Sequence, residues 1–369
     1  MSNEIKVMRE KPFSLCAVCG LIFSNAVAAP AARRYNAGMM RIRPFLTILL
    51  LLLAACDSTA LLAPFPTATP QIIIVEPTPP TPAPPTPTFT PTPLPSLTPT
   101  PEPTPTPTLP PCEAAGGQIV PFGEFRSAAA RENLPYQVYL PPCYLEYQRR
   151  YPVVYLLHGL NQNERTWERV GLIDALEQGM RLRVLGPMIL VMPALGRIGG
   201  LNQFPPDPSY ETVLLEELLP AVERTFCVIE NPRHRAIGGI SRGGFWAVSV
   251  GLRHPDLFGL IGGHSASFDA RNAPPAFNPL DLALSAPFLP ESGMRIYLDN
   301  AASDPAGRDL ELFSSRLSSR GVAHTYIVNP VGGHDEAYWS AHVAEYLRFY
   351  GEGWARNAAE LPSCLEPSP

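Results

Sequence analysis

Between Cys112 and Cys364, short β-prone apolar runs alternate with segments whose apolar residues recur at helical spacing, and no other feature restricts the possible fold as strongly. The runs YQVYLP, YPVVYLLHG, MILVMPA, HRAIGGIS, LIGGHSA, MRIYLDN and HTYIVNP predict strands. Between them, TWERVGLIDALEQGMR, YETVLLEELLPAVERTF, GFWAVSVGLRHP, LELFSSRLSSRG and EAYWSAHVAEYLRFYG predict helices. The expected class is α/β, with a mostly parallel central sheet and helices on both faces. Such sheets carry their chemistry at the carboxyl ends of the strands, so candidate residues should lie just past these runs.

The rest of the 369-residue chain reads differently. From Ala63 to Pro111 it is dominated by Pro and Thr, and proline, with no backbone donor and a fixed φ, cannot build helix or sheet ladders. Residues 57–111 are therefore expected to be an extended linker, reaching on the order of 100 Å or more at ~3.1 Å per residue. Residues 40–56, MRIRPFLTILLLLLAAC, have two arginines, an apolar run too short to span a bilayer comfortably, and small residues before a cysteine. This resembles the lipobox of bacterial lipoproteins, which implies export, lipidation of Cys56 and anchoring to a membrane in the cell envelope. Residues 1–39 read as an upstream extension from a start codon placed too early, which removes Cys16 and Cys19 from the mature protein. The folded domain is then 112–369.

A net charge of -5 supplies no basic face to track phosphates, so no nucleic-acid partner is expected. The domain's four cysteines, Cys112, Cys143, Cys227 and Cys364, suit an exported protein with two disulfides. The expected pairs are Cys112 with Cys143 and Cys227 with Cys364. Four cysteines allow three pairings, and free buried thiols are the competing reading.

The stretch GGISRGG holds G-x-S-x-G as Gly239, Ile240, Ser241, Arg242 and Gly243, after a predicted strand and before a predicted helix. In that context a serine sits on a strained strand-to-helix turn, with a helix N-terminus near any developing oxyanion. A glycine-rich turn with a merely capping serine is the bland alternative, so partners must decide. A general base is required, and His334 in VNPVGGHDEAYW follows the last strand at the head of the last helix. A carboxylate after the intervening strand must orient it. Asp299 at the strand end and Asp304 in the loop beyond both qualify. Two backbone N–H groups are needed for the oxyanion: Arg242 for one, and Leu160, after His158 and Gly159, for the other. His158 should brace that loop, and His264 should line the pocket. The segments GRIGGLNQFPPDPSYE and FDARNAPPAFNPLDLALSAPFLPES are the expected pocket walls. Phe204, Phe245 and Trp246 are candidates to cradle an aromatic acyl group, with simple packing as the alternative.

The ordered blocks RYPVVYLLHG, YETVLLEELLPAVE, HRAIGGISRGGFWAVSVGLRHPDLFG, YLDNAASD and GGHDEAYW resemble the esterase D group of α/β-hydrolases over Gln137 to Gly351. That group includes feruloyl and acetylxylan esterases, enterochelin esterases, S-formylglutathione hydrolases and mycolyltransferases. The resemblance implies the α/β-hydrolase fold, a Ser241, Asp304, His334 triad and oxyanion donors Leu160 and Arg242. Two departures stand out: Arg242 replaces a frequent methionine, and Ala301 replaces the usual glycine of the loop ahead of the acid. The implied reaction is hydrolysis of a carboxylic ester through an acyl-enzyme, with no metal or organic cofactor, on a small-molecule or polysaccharide-linked ester. Acyl transfer to a sugar hydroxyl and a catalytically inactive surface binding protein are the alternatives.

Overall fold

A computed structural model describes residues 110–268 and 273–366, with the side chains of residues 121–124 excepted. The leader, Cys56 and the Pro/Thr-rich stretch up to residue 109 lie outside the described residues. Eight strands form one sheet: β1 (Gln118–Arg126), β2 (Asn133–Leu140), β3 (Val153–Leu157), β4 (Ile189–Pro193), β5 (Arg235–Ile240), β6 (Leu260–His264), β7 (Arg295–Ala301) and β8 (Thr325–Asn329). Their order is β1-β2-β4-β3-β5-β6-β7-β8. β1–β2 and β2–β4 pair antiparallel, and every pair from β4–β3 to β7–β8 is parallel.

β3 (VVYLL), β4 (ILVMP) and β5 (RAIGGI) are buried along their whole length, as expected for central strands covered on both faces. Period-two alternation sends Val153, Tyr155 and Leu157 into one core layer and Val154 and Leu156 into the other. Helices of seven residues or more are α1 (Leu172–Arg181), α2 (Leu219–Thr225), α3 (Arg242–Arg253), α4 (Pro279–Ser285), α5 (Gly307–Ser319) and α6 (Glu336–Gly351). α1 and α6 supply one layer, and α2 to α5 supply the other.

Three elements differ from expectation. β1 escapes a pattern reading because Pro121 and Gly123 interrupt it; as an edge strand with a register shift between Phe122 and Phe125 it tolerates both. The expected helix over 166–181 is split by Gly171, whose φ of +82° begins α1 afresh after a short Thr166–Arg169 turn. The segment expected to be only a pocket wall contains α4, capped by the Asn278 side chain accepting from the Leu280 N–H at 3.0 Å. Both disulfides join the expected partners, Cys112 with Cys143 and Cys227 with Cys364, across Cα separations of 5.1 and 5.7 Å.

Candidate active site

Sheet register brings the site together. β3 pairs with β5 so that Leu157 lies beside Gly239, and the residues two further on, Gly159 and Ser241, therefore meet at the strand ends. A Cβ on Gly159 would stand 3.3 Å from the Ser241 Cβ. Ser241 occupies the turn between β5 and α3 with φ 54° and ψ -115°, a strained conformation for a residue with a side chain. The turn closes this tightly because a Cβ on Gly239 would collide with the Gly243 backbone, and one on Gly243 with the carbonyls of Leu157 and His158. The Ser241 N–H donates to the His264 carbonyl at 3.0 Å, and its own carbonyl accepts from Phe245 N–H and Ser267 N–H.

The loops after β7 and β8 carry the partners. His334 Nε2 lies 2.8 Å from Ser241 Oγ, and His334 Nδ1 lies 2.9 Å from Asp304 Oδ1. Asp304 is buried, and its Oδ1 also accepts from the Ala306 N–H at 2.8 Å. Burial alone would raise its pKa. Hydrogen bonds from His334, Ser265 and the Ala306 N–H, with the attraction of His334, outweigh that effect and hold the carboxyl below its usual range. An ionised Asp304 can only accept, so Nδ1 carries the imidazole proton and the Nε2 lone pair faces the serine hydroxyl. The two loops are tied by Ser303 Oγ donating to the Gly332 carbonyl at 2.6 Å. The Trp339 ring meets His334 edge-on at 5.4 Å, and Asp335 caps α6 directly after it.

Asp299, the competing acid, points elsewhere. Its Oδ1 bonds His264 Nδ1 at 2.8 Å, and its Oδ2 accepts from the Tyr338 and Tyr346 hydroxyls at 2.7 and 2.9 Å. Ala301 in place of glycine does not disturb the Asp304 loop: it ends β7 as a buried strand residue without positive φ, and its carbonyl accepts from the Asp304 N–H at 3.0 Å.

Of the five residues considered for the pocket, four are placed differently, and His158 holds the loop as expected. His264 is fully buried between Asp299 and the Tyr350 hydroxyl (2.9 Å) and stacks on Tyr346, so it braces the sheet against α6 and does not line a pocket. Phe245 and Trp246 are fully buried on α3, and Phe204 packs on both while stacking with Phe277 at 4.8 Å. These three form core, not an open cradle, because Phe245 and Trp246 are fully buried and Phe204 nearly so. His158 is buried and belongs to the loop itself: its Nδ1 donates to the Gly159 carbonyl at 2.7 Å, and its Nε2 accepts from the Leu195 N–H at 2.9 Å. Burial lowers its pKa and keeps it neutral, as this donor-acceptor pattern requires.

Sequence reading missed a bridge between the Gly159 loop and the His334 loop. The Gly159 N–H donates to Gln162 Oε1 at 2.7 Å, Gln162 Nε2 donates to Glu336 Oε1 at 3.0 Å, and Arg169 pairs with Glu336 at 2.6 Å. The Arg169 hydrogen bond holds the Glu336 carboxyl below its usual range. Nothing in the spacing of Gln162, Arg169 and Glu336 marks this contact in advance. Leu160, next to Gly159, is exposed, and the Arg242 amide opens α3 directly after Ser241.

Residues 127–350, more than half of the chain, match the model of the Esterase family, described as "Putative esterase". A stretch of 138 residues is 36% identical to an endo-1,4-beta-xylanase/feruloyl esterase of Xylanibacter ruminicola, covering 34% of this chain and 18% of that protein. Another of 153 residues is 31% identical to an esterase of Mycobacterium tuberculosis, covering 40% of this chain and 32% of the relative. The chain thus spans less than a third of the length of these two relatives. Among solved structures, a ferulic acid esterase is similar with a TM-score of 0.57 and 27% identity, over 64% of this chain and 98% of that one. An S-formylglutathione hydrolase from Staphylococcus aureus shares the fold with a TM-score of 0.55 at 19% identity, over 64% of this chain and all (100%) of that one. With the parallel sheet, the helices on both its faces and the strained serine turn, these matches establish an α/β-hydrolase fold, and the chain belongs to the Esterase family.

Proposed function

We propose that this protein is a serine esterase that hydrolyses carboxylic esters through an acyl-enzyme, with Ser241 as nucleophile, His334 as general base and acid, and Asp304 as the group that orients the imidazole. The observation that carries this reading is the continuous hydrogen-bonded chain from Ser241 Oγ through His334 to Asp304, at 2.8 and 2.9 Å. As Oγ attacks the ester carbonyl, its proton passes to Nε2, and Asp304 stabilises the imidazolium that forms. The negative charge on the former carbonyl oxygen is met by the amides of Leu160 and Arg242, with the N-terminus of α3 behind them. The imidazolium then protonates the leaving alcohol, and water admitted to the same position releases the acid.

Two of the similar proteins carry feruloyl esterase activity in their descriptions, and the ferulic acid esterase aligns over nearly its full length. A hydroxycinnamoyl ester is therefore the first substrate to test. Lipidation of Cys56, outside the described residues, would hold the enzyme on the outer side of the cytoplasmic membrane.

Ser241→Ala should abolish hydrolysis of p-nitrophenyl acetate and methyl ferulate, and labelling by a fluorophosphonate, while the far-UV CD spectrum is unchanged. Turnover surviving in that variant would remove Ser241 from the chemistry. For the tether, the full chain expressed in a bacterial host should enter the detergent phase on phase partitioning and Cys56→Ser should not; equal partitioning of both speaks against lipidation.

A further inference from the structure

The Arg242 side chain takes no part in the chemistry proposed above, which uses only its amide. It is nevertheless buried, at 8% relative exposure, and among the described residues no carboxylate pairs with it. Its Nε donates to the Gly199 carbonyl at 2.9 Å and its terminal nitrogen to the Leu201 carbonyl at 2.6 Å. The Gly199 carbonyl also accepts from Trp246 Nε1 at 2.7 Å. The guanidinium carbon stands 4.7 Å from the Phe245 ring centre and 5.1 Å from that of Trp246. Burial pulls its pKa down to about 10, so it remains a cation at neutral pH.

A buried cation with no counter-ion among the described residues is costly to keep, and an apolar side chain would fill the same space without that cost. What the guanidinium adds is direction: two planar donors reach carbonyls two residues apart while the aromatic faces solvate the charge. Those carbonyls belong to the segment that approaches the loop carrying Leu160. Gly200, between them, lies where a Cβ would come within 3.3 Å of Leu160 Cδ1, and Leu160 follows the glycine that meets Ser241. Leu160 and Leu201 are both exposed.

Resting on the esterase reading, we propose that the Arg242 side chain is a specificity-determining positioning residue: by fastening the carbonyls of Gly199 and Leu201 to the first turns of α3, it holds the 196–203 wall against Leu160 and limits the bulk of the ester admitted beside Ser241. Trp246 serves as the second fastening on Gly199. When the clamp is loosened the wall can withdraw from Leu160, so small esters lose their fit and bulky ones gain room.

The test is kcat/KM of the full chain and of Arg242→Met, Arg242→Lys and Trp246→Phe for p-nitrophenyl acetate and p-nitrophenyl octanoate, with fluorophosphonate labelling as the check on Ser241. In Arg242→Met the octanoate-to-acetate ratio should rise about tenfold or more, the range in which a reshaped pocket discriminates. Arg242→Lys, which keeps the charge and reaches one carbonyl, should recover part of the wild-type ratio, and Trp246→Phe should move it in the direction of Arg242→Met. A ratio within twofold of wild type in folded Arg242→Met overturns the proposal. If that variant does not fold, the same result in both Arg242→Lys and Trp246→Phe does so. Loss of turnover and of labelling in the wild-type protein would instead defeat the esterase reading itself.

Discussion

On the proposed esterase reading, His158 would act on the chemistry without touching the substrate. Its Nδ1–H and the Gln162 N–H both donate to the Gly159 carbonyl, at 2.7 and 3.2 Å. That carbonyl shares a planar peptide with the Leu160 N–H, so fixing one fixes the direction of the other. Accepting the Leu195 N–H on Nε2 requires the neutral ring with its proton on Nδ1, which leaves Nδ1–H free to donate. Replacing His158 with Phe keeps the bulk and removes both bonds. We expect kcat for p-nitrophenyl acetate to fall at least about tenfold, below the loss from deleting an oxyanion donor outright, with KM little changed. A variant whose KM rises while kcat holds would place His158 in substrate binding instead. The sequence marks this histidine as a loop brace through its place before Gly159; which atoms it braces depends on β4, where Leu195 follows, and no pattern within the HG dipeptide reveals that.

At the scale of elements, the site depends on strands that are locked in register and on loops that are tied down. Cys227 lies just past α2 and Cys364 in the C-terminal tail, 137 residues later, where the Cys364 N–H donates to the Gln148 carbonyl at 2.8 Å. A cross-link over so long a loop chiefly restricts the unfolded chain, so replacing both cysteines with serine should lower stability by about 2–5 kcal/mol. Chemical denaturation of the oxidised protein and the double variant measures it directly; equal midpoints would show that the tail bonds suffice. The central strands and the last helix, predicted over EAYWSAHVAEYLRFYG and observed as Glu336–Gly351, were legible because long periodic or wholly apolar segments leave few alternatives. β1 and α4 were not, since Pro121, Gly123 and the prolines around Asn278 mimic loop composition. The helical stretch before Phe226 also hid a π-helical turn at Val213–Leu218, where Pro220 brings no N–H to the following turn.

Across the whole molecule, buried titratable groups set the response to pH. His158 and His234 both have their pKa lowered by burial, with Arg233 adding to the effect on His234. A histidine depressed in the folded state binds protons more readily in the unfolded chain, so its contribution to stability is complete above about pH 6.5 and is lost as pH falls toward the folded value. Asp304, also depressed, contributes stability above about pH 3.9 that disappears as pH falls through its folded value. Both effects have the same sign. The thermal midpoint should therefore be flat between about pH 7.5 and 8.5, fall between pH 6.5 and 5, and fall further below pH 4. A midpoint that rises on acidification to pH 5 would contradict this.

The amino-acid sequence determined the class of fold and placed Ser241 and His334 just past strand ends, because these follow from periodicity and glycine placement, which are local properties of the chain; the cysteine pairing that the structure shows was one of three it allowed. Tertiary structure decided between the two acids. Asp299 and Asp304 lie five residues apart and the pattern along the chain admits both, with the family resemblance favouring Asp304; pleat alternation turns Asp299 toward the α6 face, where Tyr338, Tyr346 and His264 hold it, whereas Asp304 has left the strand and folds back onto His334. It also decided that Phe204, Phe245 and Trp246 are core and that Arg242 carries a clamp, since both outcomes depend on which segments arrive from elsewhere to cover a side chain. Composition and spacing along one strand of sequence contain no record of that.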